Sequence, residues 1–86
     1  MMKIWQPSPE EIDKTKNWGT WSKEISEFIW FYDEPETCYI LTGEAIATDD
    51  TGNSIHFKTG DMVQFEKGHE CKWKIIQDIK KKYKFG

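Results

Sequence analysis

Between Phe28 and Phe85 the chain is a series of short runs rich in strand-forming residues, cut at nearly even spacing by glycine, proline, aspartate and asparagine. Phe28–Tyr32 comes first. Cys38–Leu41 follows, with Glu44–Thr48 continuing past Gly43, and then Ser54–Phe57, Met62–Phe65, Lys72–Ile76 and Lys82–Phe85. Such spacing fits an all-β barrel or sandwich. The punctuation has a mechanism. In Asp33-Glu34-Pro35 the proline lacks a ladder donor, and in Asp49-Asp50-Thr51-Gly52-Asn53 the glycine supplies the positive φ of a hairpin loop. Phe28, Trp30 and Tyr32 alternate with Ile29 and Phe31, so both faces of this run are apolar and a buried strand is expected.

Ahead of this series lies one helix signal. Ser8 can cap, Pro9 suits the first helical position and Glu11 can close a capping box, with the helix ending near Lys16-Asn17. Residues 1–20 are therefore read as an N-terminal strand and short helix, and residues 21–86 as the barrel, in one domain overall. An 86-residue chain buries only about 60% of its unfolded surface. Aromatic residues, 15% of the total, offset that limit because each buries on the order of 150–250 Å². A homodimer is the other common remedy and is expected. A net charge of -3 gives no basic footprint for nucleic acid, and no apolar run approaches the roughly 20 residues of a membrane span. With no apolar signal segment at Met1–Pro7 and only two cysteines, a reduced cytoplasmic protein is the expectation.

Two stretches carry a family likeness. Glu36-Thr37-Cys38-Tyr39-Ile40-Leu41-Thr42-Gly43 pairs a glutamate with a glycine, and Gly60 is followed by Glu66, Gly68 and Cys71. From about Trp21 to Phe85 the chain resembles the cupin superfamily, small jelly-roll β-barrels that usually hold a metal among three histidines and a glutamate. Within it, the chain is similar to very small single-domain cupins, related to the cupin-type ureidoglycine aminohydrolases and the ethanolamine-utilisation cupin. Trp30-Phe31-Tyr32 and Cys71-Lys72-Trp73 also carry that likeness. The resemblance implies an all-β cupin barrel behind the short N-terminal helix, with Glu36, Trp30, Tyr32 and Cys71 facing inward. Trp30, Tyr32 and Cys71 stand where the family has its histidines.

Trp30, Tyr32, Glu36, Cys38, Cys71 and Trp73 are accordingly the candidate ligand-binding residues, and Glu36 is the candidate acid or base. A carboxylate in an apolar barrel needs a donor, or else a raised pKa, and Tyr32 or Trp30 is the expected donor. No cofactor is expected. Glu36 and Cys71 are the only weak metal candidates, with Cys38 as a further thiol nearby in sequence to Glu36, because an indole offers no lone pair and two ligands fall short of a zinc shell. Cys71 and His69 share a strand parity, which leaves a thiol–imidazole pair open, although buried cysteines more often act as small apolar residues. The lysines at 72, 74, 80, 81, 82 and 84 are expected on a solvated strand face. Trp5, Trp18, Trp21 and Tyr39 exceed what one narrow barrel can enclose, so some should line a pocket or an interface.

Three functions fit these residues. The first is a binding module, or an unassigned enzyme, that takes a small polar molecule into the barrel. The second is a metal-dependent small-molecule enzyme resembling ureidoglycine aminohydrolase. The third is a non-catalytic structural or regulatory dimer.

Overall fold

The computed structural model describes residues 2–86. The elements run β1 (Met2–Trp5), α1 (Pro9–Lys14), a 3-10 turn (Thr15–Asn17), β2 (Gly19–Lys23), β3 (Ser26–Phe31), β4 (Glu36–Asp49), β5 (Ser54–Lys58), β6 (Met62–Phe65) and β7 (Glu70–Phe85). The helix starts as its sequence requires. Ser8 Oγ accepts from the Glu11 amide at 3.2 Å, and the Glu11 carboxylate accepts from the Ser8 amide at 3.0 Å.

Two long strands organise the barrel. β4 and β7 pair antiparallel along their whole length, from Glu36 opposite Phe85 to Asp49 opposite Cys71. On the free edge of β4, β6 covers the first half and β5 the second, while β1 extends beyond β6. On the free edge of β7, β3 covers the first half and β2 the second. The register of β4 against β7 slips between Ile40 and Ala45, which bends both strands and folds the sheet around its own inner face. Gly43 makes that corner possible: its φ is +101°, and a Cβ there would lie 2.4 Å from the Asp78 carbonyl oxygen. At the same bend the Ile25 amide donates to the Asp78 carboxylate at 3.0 Å, joining the turn between β2 and β3 to β7.

The core fills the space so enclosed. Tyr32, Cys38, Ile40, Ala45, Ala47, Phe57, Val63, Phe65, Cys71, Trp73, Ile75 and Ile79 form one buried cluster. Its aromatics interlock: Tyr32 stacks on Phe65 with centroids 4.7 Å apart, and Phe57 meets Trp73 edge-on at 5.1 Å. Glu36, Cys38 and Ile40 alternate along β4, and Cys71, Trp73 and Ile75 along β7, and all six side chains are buried.

Three expectations are corrected. Lys72–Ile76 and Lys82–Phe85 belong to a single sixteen-residue strand, because the irregular middle bends the ladder without ending it. The run Gly19–Lys23, unassigned from the sequence, is a strand on β7. The segment containing Ile29 and Phe31 is not buried on both faces. Among the described residues β3 pairs only with β7, and these two residues are 63% and 56% exposed.

Candidate functional site

A cavity of about 160 Å³ opens at one end of the core, lined by Trp21, Phe28, Trp30, Tyr32, Glu36, Trp73, Lys81, Tyr83 and Phe85. Each wall has a strand to hold it. Trp21 comes from β2, Phe28 and Trp30 from β3, Glu36 from the start of β4, and Trp73, Lys81, Tyr83 and Phe85 from β7. Register aligns them, with Phe28 opposite Trp73, Trp30 opposite Cys71 and Trp21 opposite Lys81. Tyr32, just past β3, is clamped by the second motif loop: its amide donates to the His69 carbonyl and its carbonyl accepts from the Gly68 amide at 2.7 Å. Gly19 leaves room for Tyr83, whose ring would lie 2.5 Å from any Cβ added there.

The polar floor of this aromatic box is an ion pair. Lys81 Nζ donates to Glu36 Oε2 at 2.8 Å, with both side chains under 10% exposed. The Cys38 thiol donates to the same oxygen at 3.0 Å, and Lys81 Nζ lies 3.3 Å from Cys38 Sγ. The ammonium also sits 4.8 Å from the centroids of both the Trp21 and Trp73 rings, contacts worth about 2 kcal/mol when desolvated. Burial by itself would lower the lysine pKa, but Cys38 and Glu36 outweigh it and hold the group above its ordinary value. Burial also pushes the Cys38 thiol well up, against the pull of Lys81. The thiol therefore stays protonated at neutral pH, and Glu36 supplies the countercharge.

Three polar groups keep capacity facing the cavity. Both donors to Glu36 converge on Oε2. Oε1 takes no part in either bond, and Glu36 is among the residues that line the cavity. The Tyr32 hydroxyl accepts from Trp73 Nε1 at 3.0 Å and retains its own hydrogen to donate. Burial, reinforced by the Glu36 charge, raises the Tyr32 pKa far above a free phenol, so it acts only as a neutral hydroxyl. The third Lys81 N–H is left over from Glu36 and Cys38.

The sequence-predicted residues divide accordingly. Trp30, Tyr32, Glu36 and Trp73 line the cavity, although Trp30 stands at its rim, 49% exposed. Cys38 lies behind Glu36 as a hydrogen-bond donor to it. Cys71 is buried but does not line the cavity. Burial, then the charges of Asp49 and Asp50, push its thiol up to about 11. His69 does not pair with it, bonding instead to Asp50 at 2.9 Å. The expected donor to Glu36, Tyr32 or Trp30, is replaced by Lys81. That lysine was assigned to a solvated face with its neighbours. It is 5% exposed, because in the second half of β7 the inward parity falls on Ile79, Lys81 and Tyr83 while Lys80 and Lys82 point out. The only sequence signal was this parity, masked by a run of lysines.

The metal that a cupin resemblance implies does not fit these residues. Trp30 offers no lone pair, Tyr32 is a neutral phenol bonded to Trp73, and Glu36 is already paired with an ammonium. Among the described residues, no group of three or more His, Cys, Asp or Glu could hold a metal ion. No helix among them is long and apolar enough to cross a membrane.

Comparison with known proteins adds the lineage. The EutQ-like cupin domain family matches residues 10–83. A protein of the DUF861 family from Thermotoga maritima is 40% identical, with both chains covered completely and a TM-score of 0.96. A putative ethanolamine utilization protein Q from Salmonella typhimurium shares the fold at 18% identity, with a TM-score of 0.72 over 98% of this chain and 68% of that one. The Clostridium difficile EutQ protein does so at 18% identity and a TM-score of 0.69, over 76% of this chain and 51% of that one. A search of curated proteins finds no match.

Proposed function

This chain belongs to the EutQ-like cupin family, and from that premise we propose that its barrel binds a small polar molecule with a planar, mostly apolar body. The observation that carries this reading is a carboxylate and an ammonium lining a cavity that is otherwise aromatic. A pocket with apolar walls and a few convergent polar groups is the usual form of a small-ligand site. The available groups define the complement: a carbonyl-type oxygen to accept from Lys81 and Tyr32, and an adjacent N–H or O–H to donate to Glu36 Oε1. A second ammonium on the ligand is disfavoured, since Lys81 already occupies the faces of Trp21 and Trp73. The metal-dependent alternative ranks lower on the donor set described above.

Trp21, Trp30 and Trp73 all line the cavity, so binding is read directly from indole fluorescence. Titration with small neutral aryl amides, acids and carbonyl compounds should give saturable changes that Trp73→Phe diminishes. No saturable response from any of these classes, in a protein shown to be folded, would remove the reading.

A homodimer through β3 completes the proposal. Its outer edge has no strand partner among the described residues, and Ile25, Ile29 and Phe31 are each more than half exposed along it. A second copy adding its own β3 antiparallel would pair the edge and cover these side chains.

A further inference from the structure

Lys81 is a buried amine on the wall of an aromatic cavity, with a carboxylate at hydrogen-bond distance and the centroids of two indole rings each 4.8 Å from its nitrogen. Those are the components of a carbonyl-capturing site. Resting on the small-molecule reading above and deepening it, we propose that Lys81 condenses with a small aldehyde or ketone to form a Schiff base in the barrel, with Glu36 as the proton carrier.

The chemistry balances without any added reactant. Lys81 Nζ passes a proton to Glu36 Oε2, 2.8 Å away. The pair holds the proton on nitrogen at rest, with the lysine above its ordinary pKa, so the neutral amine is a minor form and Glu36 is the adjacent base that generates it. The freed nitrogen lone pair attacks the carbonyl carbon, and the π electrons move to the oxygen, which takes a proton from nitrogen to give a carbinolamine. Glu36 then returns its proton to that hydroxyl, the C–O bond breaks, water leaves and the C=N bond forms. Ammonium plus carbonyl becomes iminium plus water. The iminium keeps the ammonium's charge and place, beside the Trp21 and Trp73 rings and against the Glu36 carboxylate, so the site stabilises the product as it stabilises the resting lysine.

Size and polarity choose the carbonyl compound. A cavity of this volume suits a ligand about the size of a benzene derivative. Neutral compounds are preferred, because the Glu36 charge opposes an added carboxylate. No other lysine lines this cavity, and Lys72, Lys74 and Lys80 are exposed, without these rings beside their amines.

The test is reductive trapping with benzaldehyde and borohydride on the native protein, followed by peptide mapping, with pyruvate as the anionic arm. The expected result is a benzyl adduct concentrated at Lys81 and a weaker response to pyruvate. Unfolding before the reaction should abolish that preference. Glu36→Gln should slow trapping at Lys81 by about 10²-fold, the lower end for general acid–base assistance. Should that variant fail to fold, the wild-type map still decides. Labelling spread over exposed lysines with Lys81 spared overturns the proposal, as does pyruvate trapping better than benzaldehyde. If benzaldehyde perturbs the indole fluorescence saturably but leaves no adduct at Lys81, the binding reading survives and the Schiff base does not. Absence of both effects, together with no response to the other ligand classes, removes both.

Discussion

Replacing Lys81 with methionine keeps the length and apolar stem of the side chain and deletes its charge. Glu36 is then a carboxylate 4% exposed, with the Cys38 thiol as its one remaining donor among the described residues. Breaking a buried pair in this way costs about 3–5 kcal/mol. In a domain of this size that corresponds to a loss of about 12–40 °C in Tm, at roughly 4–8 °C per kcal/mol. The pH dependence identifies the cause. An unpaired carboxylate is costly only while ionised, so the Lys81→Met deficit should be smaller at acid pH than at neutral pH. Glu36→Gln leaves the opposite charge stranded, and its deficit should grow as pH falls below about 10.4 and fade above it. The double variant strands neither charge and should lie within about 1–2 kcal/mol of wild type, or exceed it. Urea unfolding of all four proteins at pH 4.5, 7 and 9 gives the complete cycle. Single variants within about 1 kcal/mol of wild type at pH 7, or a double variant as poor as the sum of the singles, would refute the reasoning.

Alkaline stability should fall in two stages. Burial raises the Cys38 thiol, so above an unfolded pKa of about 8.5 the unfolded chain holds fewer protons than the folded one, and stability declines by up to about 1.4 kcal/mol per pH unit. Cys38→Ser should make this first limb shallower in a pH series of urea melts, with the raised Cys71 thiol supplying what remains, and an unchanged limb would contradict it. Lys81 adds the second stage: its stabilisation is complete below about 10.4 and is lost as pH rises through its elevated folded pKa. Gly19→Ala should destabilise by about 1–3 kcal/mol and alter ligand-induced fluorescence, because the new methyl forces the Tyr83 ring away from the cavity wall; unchanged melting would mean that the ring moves freely. Sedimentation equilibrium should find a dimer at tens of micromolar, buried over about 1,200–2,000 Å², and Ile29→Lys with Phe31→Lys should yield monomer. A monomeric wild type would end that proposal.

The all-β architecture and the capped helix were legible in the sequence because both are set by local rules. Strand periodicity needs only neighbours two apart, a capping box needs only Ser8 and Glu11, and Gly52 marks a hairpin loop by its freedom to adopt positive φ. The family likeness likewise rested on short spacings around Glu36 and Gly68. Period-two parity put Cys38 on the face of Glu36 and Trp73 on the face of Cys71, and the family likeness turned those faces inward. What parity could not supply was which inward residues meet. Glu36 and Lys81 are forty-five positions apart and come together only because β4 and β7 pair in one register and bend at one corner. The exposure of Ile29 and Phe31 was equally hidden, since their residue types say apolar while burial depends on whether another strand lies beyond β3. Charge misled for a related reason: a lysine among lysines looks solvated, and only the tertiary arrangement, by setting a carboxylate and two indole rings around one of them, made burial of that ammonium favourable.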